Sequence, residues 1–165
     1  MSAESTTLPF QRSGDYRAIL WGGLLAGILD ITAAIVSTAI RGGRGPLVVL
    51  QSVASGLLGA NSYKGGIPTA ALGLVIHFFN AYVICTIFFL ASQKLPFLTK
   101  QWILCGVLYG IGVYLVMYGI VLRLTFHRNF LTPFSSVVLN MLIHIFCVGL
   151  PISFAVQRFS KPKTT

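Results

Sequence analysis

Four uninterrupted apolar runs, near residues 17–40, 67–92, 101–124 and 133–157, constrain this chain more than any motif in it. Each reaches about 20 residues or more, enough to cross a hydrocarbon core roughly 30 Å thick as an α-helix. A membrane barrel does not fit, because its strands read as roughly 10-residue segments of alternating hydrophobicity. With 55% hydrophobic and 9% charged residues in 165 and a mean hydropathy of +0.83, the chain is far more apolar than a soluble domain. The expected fold is an all-α membrane protein of four transmembrane helices, a single membrane domain over 17–158 between a polar tail, 1–16, and a basic tail, 159–165.

A formal charge of +9 in a soluble chain would point to nucleic acid. Here the cations sit in tails, loops and span ends, which is a juxtamembrane pattern and makes the lipid bilayer the expected partner, with no nucleic acid. Arg12, Arg17, Lys94, Lys100, Arg158, Lys161 and Lys163 fall on one side of a four-span arrangement, against Arg41, Arg44, Lys64, Arg123 and Arg128 on the other. By the positive-inside rule this leans towards cytoplasmic termini. The first run follows a partly acidic tail and exceeds the 7–15 residues of a signal-peptide core, so it is expected to be a retained span. Cys85, Cys105 and Cys147 all lie inside spans, and their odd number argues against a disulfide framework.

Between the first two spans, residues 46–59 form a shorter apolar segment bracketed by glycines and basic residues. Its length suits an interfacial or a re-entrant helix rather than a span, and Gly45 before Pro46 marks its start. The links KLPFLTK and HRNFLTP are short and carry a proline each, so sequential spans should be antiparallel neighbours.

The chain also reads as a two-fold internal repeat of two-span units. ILWGGLLAGILD from residue 19 aligns with ILCGVLYGIGVY from residue 103, and IHFF at 76–79 aligns with IHIF at 143–146. The two offsets differ by 17 residues, about the size of the extra short helix. Two-span units would be related by an axis along the membrane normal.

Polar residues recur on one face of each span. In the first, Gly23, Ala26, Gly27, Asp30, Ala33 and Ser37 make a stripe of small residues around one acid; small residues let helices approach closely, so Asp30 should face the bundle. The second span carries Gly73, His77, Asn80 and Ala81 on one face, the third Gly106, Gly110, Tyr114 and Tyr118, and the fourth Ser136, Asn140, His144, Cys147 and Pro151. Turned inward, these faces place Asp30, His77, Tyr114 and His144 at a common depth, about 15 Å from one membrane face at 1.5 Å per residue. An ionised Asp at a helix centre costs roughly 2.5–3.5 kcal/mol on insertion scales, and intramembrane ionisable groups mark functional sites by default.

Three roles compete. A proton or solute site would use Asp30, His77, Tyr114 and His144, with Asn80, Asn140 and Tyr118 in support and Gly23, Gly27, Gly106 and Gly110 packing the helices. Alternatively, His77 and His144 would ligate haem iron or, with Cys147, a metal. The third role is purely structural, with the polar groups hydrogen-bonding helix to helix. His127, in the third link, reads as solvated. Enzyme signatures such as GxSxG, HExxH, phosphate loops and paired carboxylates are absent from the sequence.

The blocks ILWGGLLAGILD, QSVASGLLG, GLVIHFFNAY, KLPF and IHIFCVGLPI resemble a set of small uncharacterised bacterial four-span membrane proteins, and more loosely the YagU-type inner-membrane proteins. That resemblance implies a bacterial inner (plasma) membrane location and carries no reaction with it. The small size of the protomer suggests a homo-oligomer.

Overall fold

The computed structural model describes residues 16–43, 45–122 and 133–159; the expectations for Arg44, Arg123, His127, Arg128 and the two tails lie outside the described residues. Every regular element among them is helical. Four helices are long and apolar enough to span a membrane: α1 (Arg17–Ile40), α3 (Gly66–Lys94), α4 (Trp102–Val121) and α5 (Phe134–Phe159). The shorter α2 (Pro46–Leu58) lies between the first two. The all-α fold of four spans and one shorter helix is therefore the one expected, and the chain is a multi-pass membrane protein by helix length and composition.

The connections follow from local chemistry. Gly42 takes φ +68° just beyond α1, and the N–H groups of Gly42 and Gly43 donate to the carbonyls of Ala39 and Thr38. This left-handed cap satisfies carbonyls the helix leaves orphaned, and glycine adopts it without a Cβ penalty. Proline at the start of α2 forfeits only an N–H that a first turn would leave unpaired anyway. A 3₁₀ segment, Gly59–Lys64, joins α2 to α3, and a single helical turn, Phe97–Lys100, joins α3 to α4.

Both later spans depart from regular α geometry. α4 becomes π-helical over Met117–Val121, and α5 is π-helical over His144–Gly149, between α-helical halves Phe134–Ile143 and Leu150–Phe159. These are the only π segments among the described residues, and they lie in two helices that pack against each other.

Packing runs α3–α1–α5–α4, with α2 laid on α3. The seams are made by small residues. A Cβ at Gly23 would strike the Tyr82 ring, one at Gly27 would sit 2.6 Å from Phe78 Cε1, and one at Gly110 would sit 2.6 Å from Ile145 Cα. A Cβ at Gly106 would meet the Ser153 side chain, and one at Gly73 the carbonyl of Leu50. Between α3 and α4 the Tyr109 hydroxyl donates to the Ile84 carbonyl at 2.7 Å, with its ring 4.8 Å from that of Phe88. The short helix is held by Gln51, whose amide donates to the Gly66 carbonyl and the Thr69 hydroxyl.

The two ends of the bundle differ. Ala18, Cys85, Phe88, Phe89, Cys105, Ile152 and Val156 form a continuous buried apolar cluster, drawn from the first turns of α1 and α4 and the last turns of α3 and α5. Outside it, Leu20, Ile28, Phe79, Ile87, Leu108 and Phe146 are exposed, as side chains facing hydrocarbon would be. At the opposite end, beyond Asp30, the bundle opens.

Candidate functional site: a polar cavity at one end of the bundle

A cavity of about 420 Å³ lies between α1, α4 and α5, lined by polar groups of all three helices. One wall is a single face of α1: Asp30, Ala34, Ser37, Thr38 and Arg41, spaced so that successive turns stack above one another. Tyr118 of α4 and Asn140, Ile143 and His144 of α5 close the other side. Asp30 lies 10 residues before the end of α1 and His144 10 after the start of α5, so both are about 15 Å from the helix ends at 1.5 Å per residue. Those two ends share a side, because Arg41 Nη1 donates to Ser136 Oγ at 3.1 Å. The cavity thus descends from a cationic mouth to a floor near mid-bundle, resting on the apolar cluster below.

The floor is built around His144. Its Nδ1 lies 2.8 Å from the Asn140 carbonyl one turn earlier; a carbonyl only accepts, so Nδ1 carries the hydrogen and, in a neutral ring, Nε2 is left as an acceptor. The ring is clamped edge-on by two phenols, Tyr114 at 5.7 Å and Tyr118 at 5.9 Å between centroids, which themselves stack at 4.7 Å. Tyr114 is buried and supports the imidazole from behind, whereas Tyr118 reaches the cavity wall. Both Tyr118 and His144 belong to π-helical segments. Such segments recur at functional sites because the extra residue per turn redirects side chains away from the regular helical face.

Of the four residues expected to share a site, Asp30 and His144 line the cavity, Tyr114 packs behind His144, and His77 stands elsewhere. Its Nε2 donates to the Gly27 carbonyl of α1 at 2.9 Å, and its ring meets Phe78 edge-on at 5.7 Å. This is a bond between helices on the α3 side of α1, and none of the cavity-lining residues belongs to α3. Asn80 shares that helix and is likewise absent from the lining. The two histidines, of IHFF and IHIF, are therefore used in different ways. Cys147 is a free, half-buried thiol outside the lining, and among the described residues no three His, Cys, Asp or Glu side chains are grouped to hold a metal.

Arg41, Thr38 and Ala34 were not expected in the site. Their signal is the spacing 30, 34, 37/38, 41, which continues the face of Asp30 to the end of α1. Arg41 counts from sequence only as a loop charge.

Comparison with protein-family profiles, characterised proteins and solved structures returns no match for this chain. The four-span architecture stands without an assigned family.

Proposed function

We propose that this protein binds a small polar solute or ion in the cavity of α1, α4 and α5, and passes it across the membrane from there. The observation that carries the reading is the placement of Asp30 with His144, Tyr118 and Asn140 on the floor of a cavity that reaches one end of the bundle. A carboxylate inside a membrane bundle is costly unless water, a partner or a ligand meets it. At about 420 Å³ the space falls at the small end of the roughly 300–1,000 Å³ typical of small-molecule pockets. Beneath it lies the packed apolar cluster of Cys85, Phe88, Ile152 and Val156, which supports access to the cavity from one face.

Haem ligation by His77 and His144 finds less support. His77 Nε2 is committed to the Gly27 carbonyl, and His77 is not among the residues lining the cavity that His144 lines.

Thiol accessibility tests the reading. With the three native cysteines replaced, Ala34→Cys in the cavity wall should react with a charged, membrane-impermeant thiol reagent from one face of sealed vesicles only, and Leu29→Cys, on the outer surface of α1, should not. If Ala34→Cys is as inert as Leu29→Cys from both faces, the cavity admits no aqueous solute and the reading fails.

A further inference from the structure

We infer that the cavity selects a small organic cation carrying a primary ammonium group. This rests on the solute-binding reading above and names its substrate class. The floor offers a carboxylate and three groups able to accept hydrogen bonds. Asp30 contributes carboxylate oxygens, and among the described residues no hydrogen-bond or ion-pair partner occupies them. His144 donates its Nδ1 hydrogen to the Asn140 carbonyl, so in a neutral ring Nε2 is an acceptor. Asn140 and Tyr118 line the cavity too, and the amide and the hydroxyl can each accept or donate a hydrogen bond. An ammonium group brings three N–H donors and one positive charge, matching the carboxylate, the imidazole nitrogen and a third oxygen. A carboxylate or phosphate ligand would instead meet like charge at Asp30 and a lone pair at His144.

The wall reinforces this choice. Tyr118 and His144 form a π-rich surface backed by Tyr114, and aromatic faces attract ammonium groups through their quadrupoles. A hard metal cation fits less well, since the oxygens of Asp30, Asn140 and Tyr118 with the His144 nitrogen fall short of the six or more oxygens that such cations take.

The cation lining the cavity, Arg41, does not satisfy Asp30. It lies 11 residues further along α1, about 16 Å higher at 1.5 Å per residue. Its guanidinium is bonded to Ser136, two turns above His144 on α5. The feature recognised at the floor of the cavity is the ammonium group.

Titration calorimetry on the full chain in lipid nanodiscs tests this with ethanolammonium, choline, propionate and glycerol. Ethanolammonium should bind saturably, with choline, which has the charge but no N–H, at least tenfold weaker and propionate and glycerol inactive. Asp30→Asn should lower ethanolammonium affinity at least tenfold; the choline comparison needs no variant and stands even if Asp30→Asn fails to fold. Equal binding of choline and ethanolammonium, or binding of propionate or glycerol that survives Asp30→Asn, overturns the ammonium assignment. So does the absence of binding by all four probes while Ala34→Cys remains labelled from one face, including the case in which Asp30 instead supports proton flux; the cavity reading then survives. An inert Ala34→Cys removes both.

Discussion

Replacing Gly110 by alanine adds one methyl group where α4 lies on the π-helical segment of α5. A Cβ at that position sits 2.6 Å from Ile145 Cα, 2.7 Å from the His144 carbonyl oxygen and 3.0 Å from Ile145 N. Carbon atoms in good contact rest at about 3.5–4.0 Å, so the two helices must part by about 1 Å. All three atoms are backbone, and none can rotate aside. Overpacking of this kind costs about 1–3 kcal/mol, while alanine's better helix propensity returns up to about 1 kcal/mol. Gly112 of the same helix isolates the contact, because a Cβ there meets nothing within 4 Å. Gly112→Ala should therefore be neutral or stabilising, and Gly110→Ala should be less stable than it by about 1–3 kcal/mol. Unfolding of the purified full chain by SDS titration in mixed micelles, followed by circular dichroism, measures the difference. Equal stability of the two variants would refute the close α4–α5 seam and, with it, the placement of His144 against Tyr114.

Two further substitutions probe other seams. In Gly73→Ala the new Cβ falls on the Leu50 carbonyl, so amide exchange across α2 (Pro46–Leu58) should rise while the four long helices keep their protection; unchanged exchange in α2 would show that it does not rest on α3 there. His77→Phe removes the bond to the Gly27 carbonyl and keeps an aromatic ring beside Phe78, so the loss in the same SDS titration should be near 0.6 kcal/mol and no more than about 1.7 kcal/mol, the range for interhelical hydrogen bonds in membranes. A loss above about 3 kcal/mol would mean that His77 does more than bridge two helices.

Depth was legible in the sequence, and direction around the helix axis was not. A helix rises by a fixed amount per residue, so counting from span ends places Asp30 and His144 at one level, and both line one cavity. The same count puts His77 at a similar depth, yet its ring is bonded to the Gly27 carbonyl and does not line the cavity. Azimuth depends on which neighbour each helix packs against, and that is settled by side-chain fit, as where Gly23 and Gly27 receive Tyr82 and Phe78. The π segments add a second reason. Face assignments from periodicity assume 3.6 residues per turn, and nothing in MYGIV or HIFCVG announces a wider turn. Past Met117 and His144 a regular helical wheel therefore turns side chains to the wrong bearing.

Arg41 shows the same division. Its place just beyond an apolar run was evident, but its bond to Ser136, 95 residues away, needed α1 and α5 to be neighbours.

Composition and run length by themselves determined the solvent, the number of spans and the helical class, because hydrocarbon tolerates no unpaired backbone and leaves an apolar run of 20 residues few other forms. They also determined that an acid and two imidazoles would lie within the membrane. Only the tertiary structure decided that Asp30 and His144 share a cavity while His77 spends its nitrogen on a helix carbonyl. Bringing side chains together from separate helices depends on helix order, rotation and local winding, and these are set by packing contacts between residues far apart in the chain.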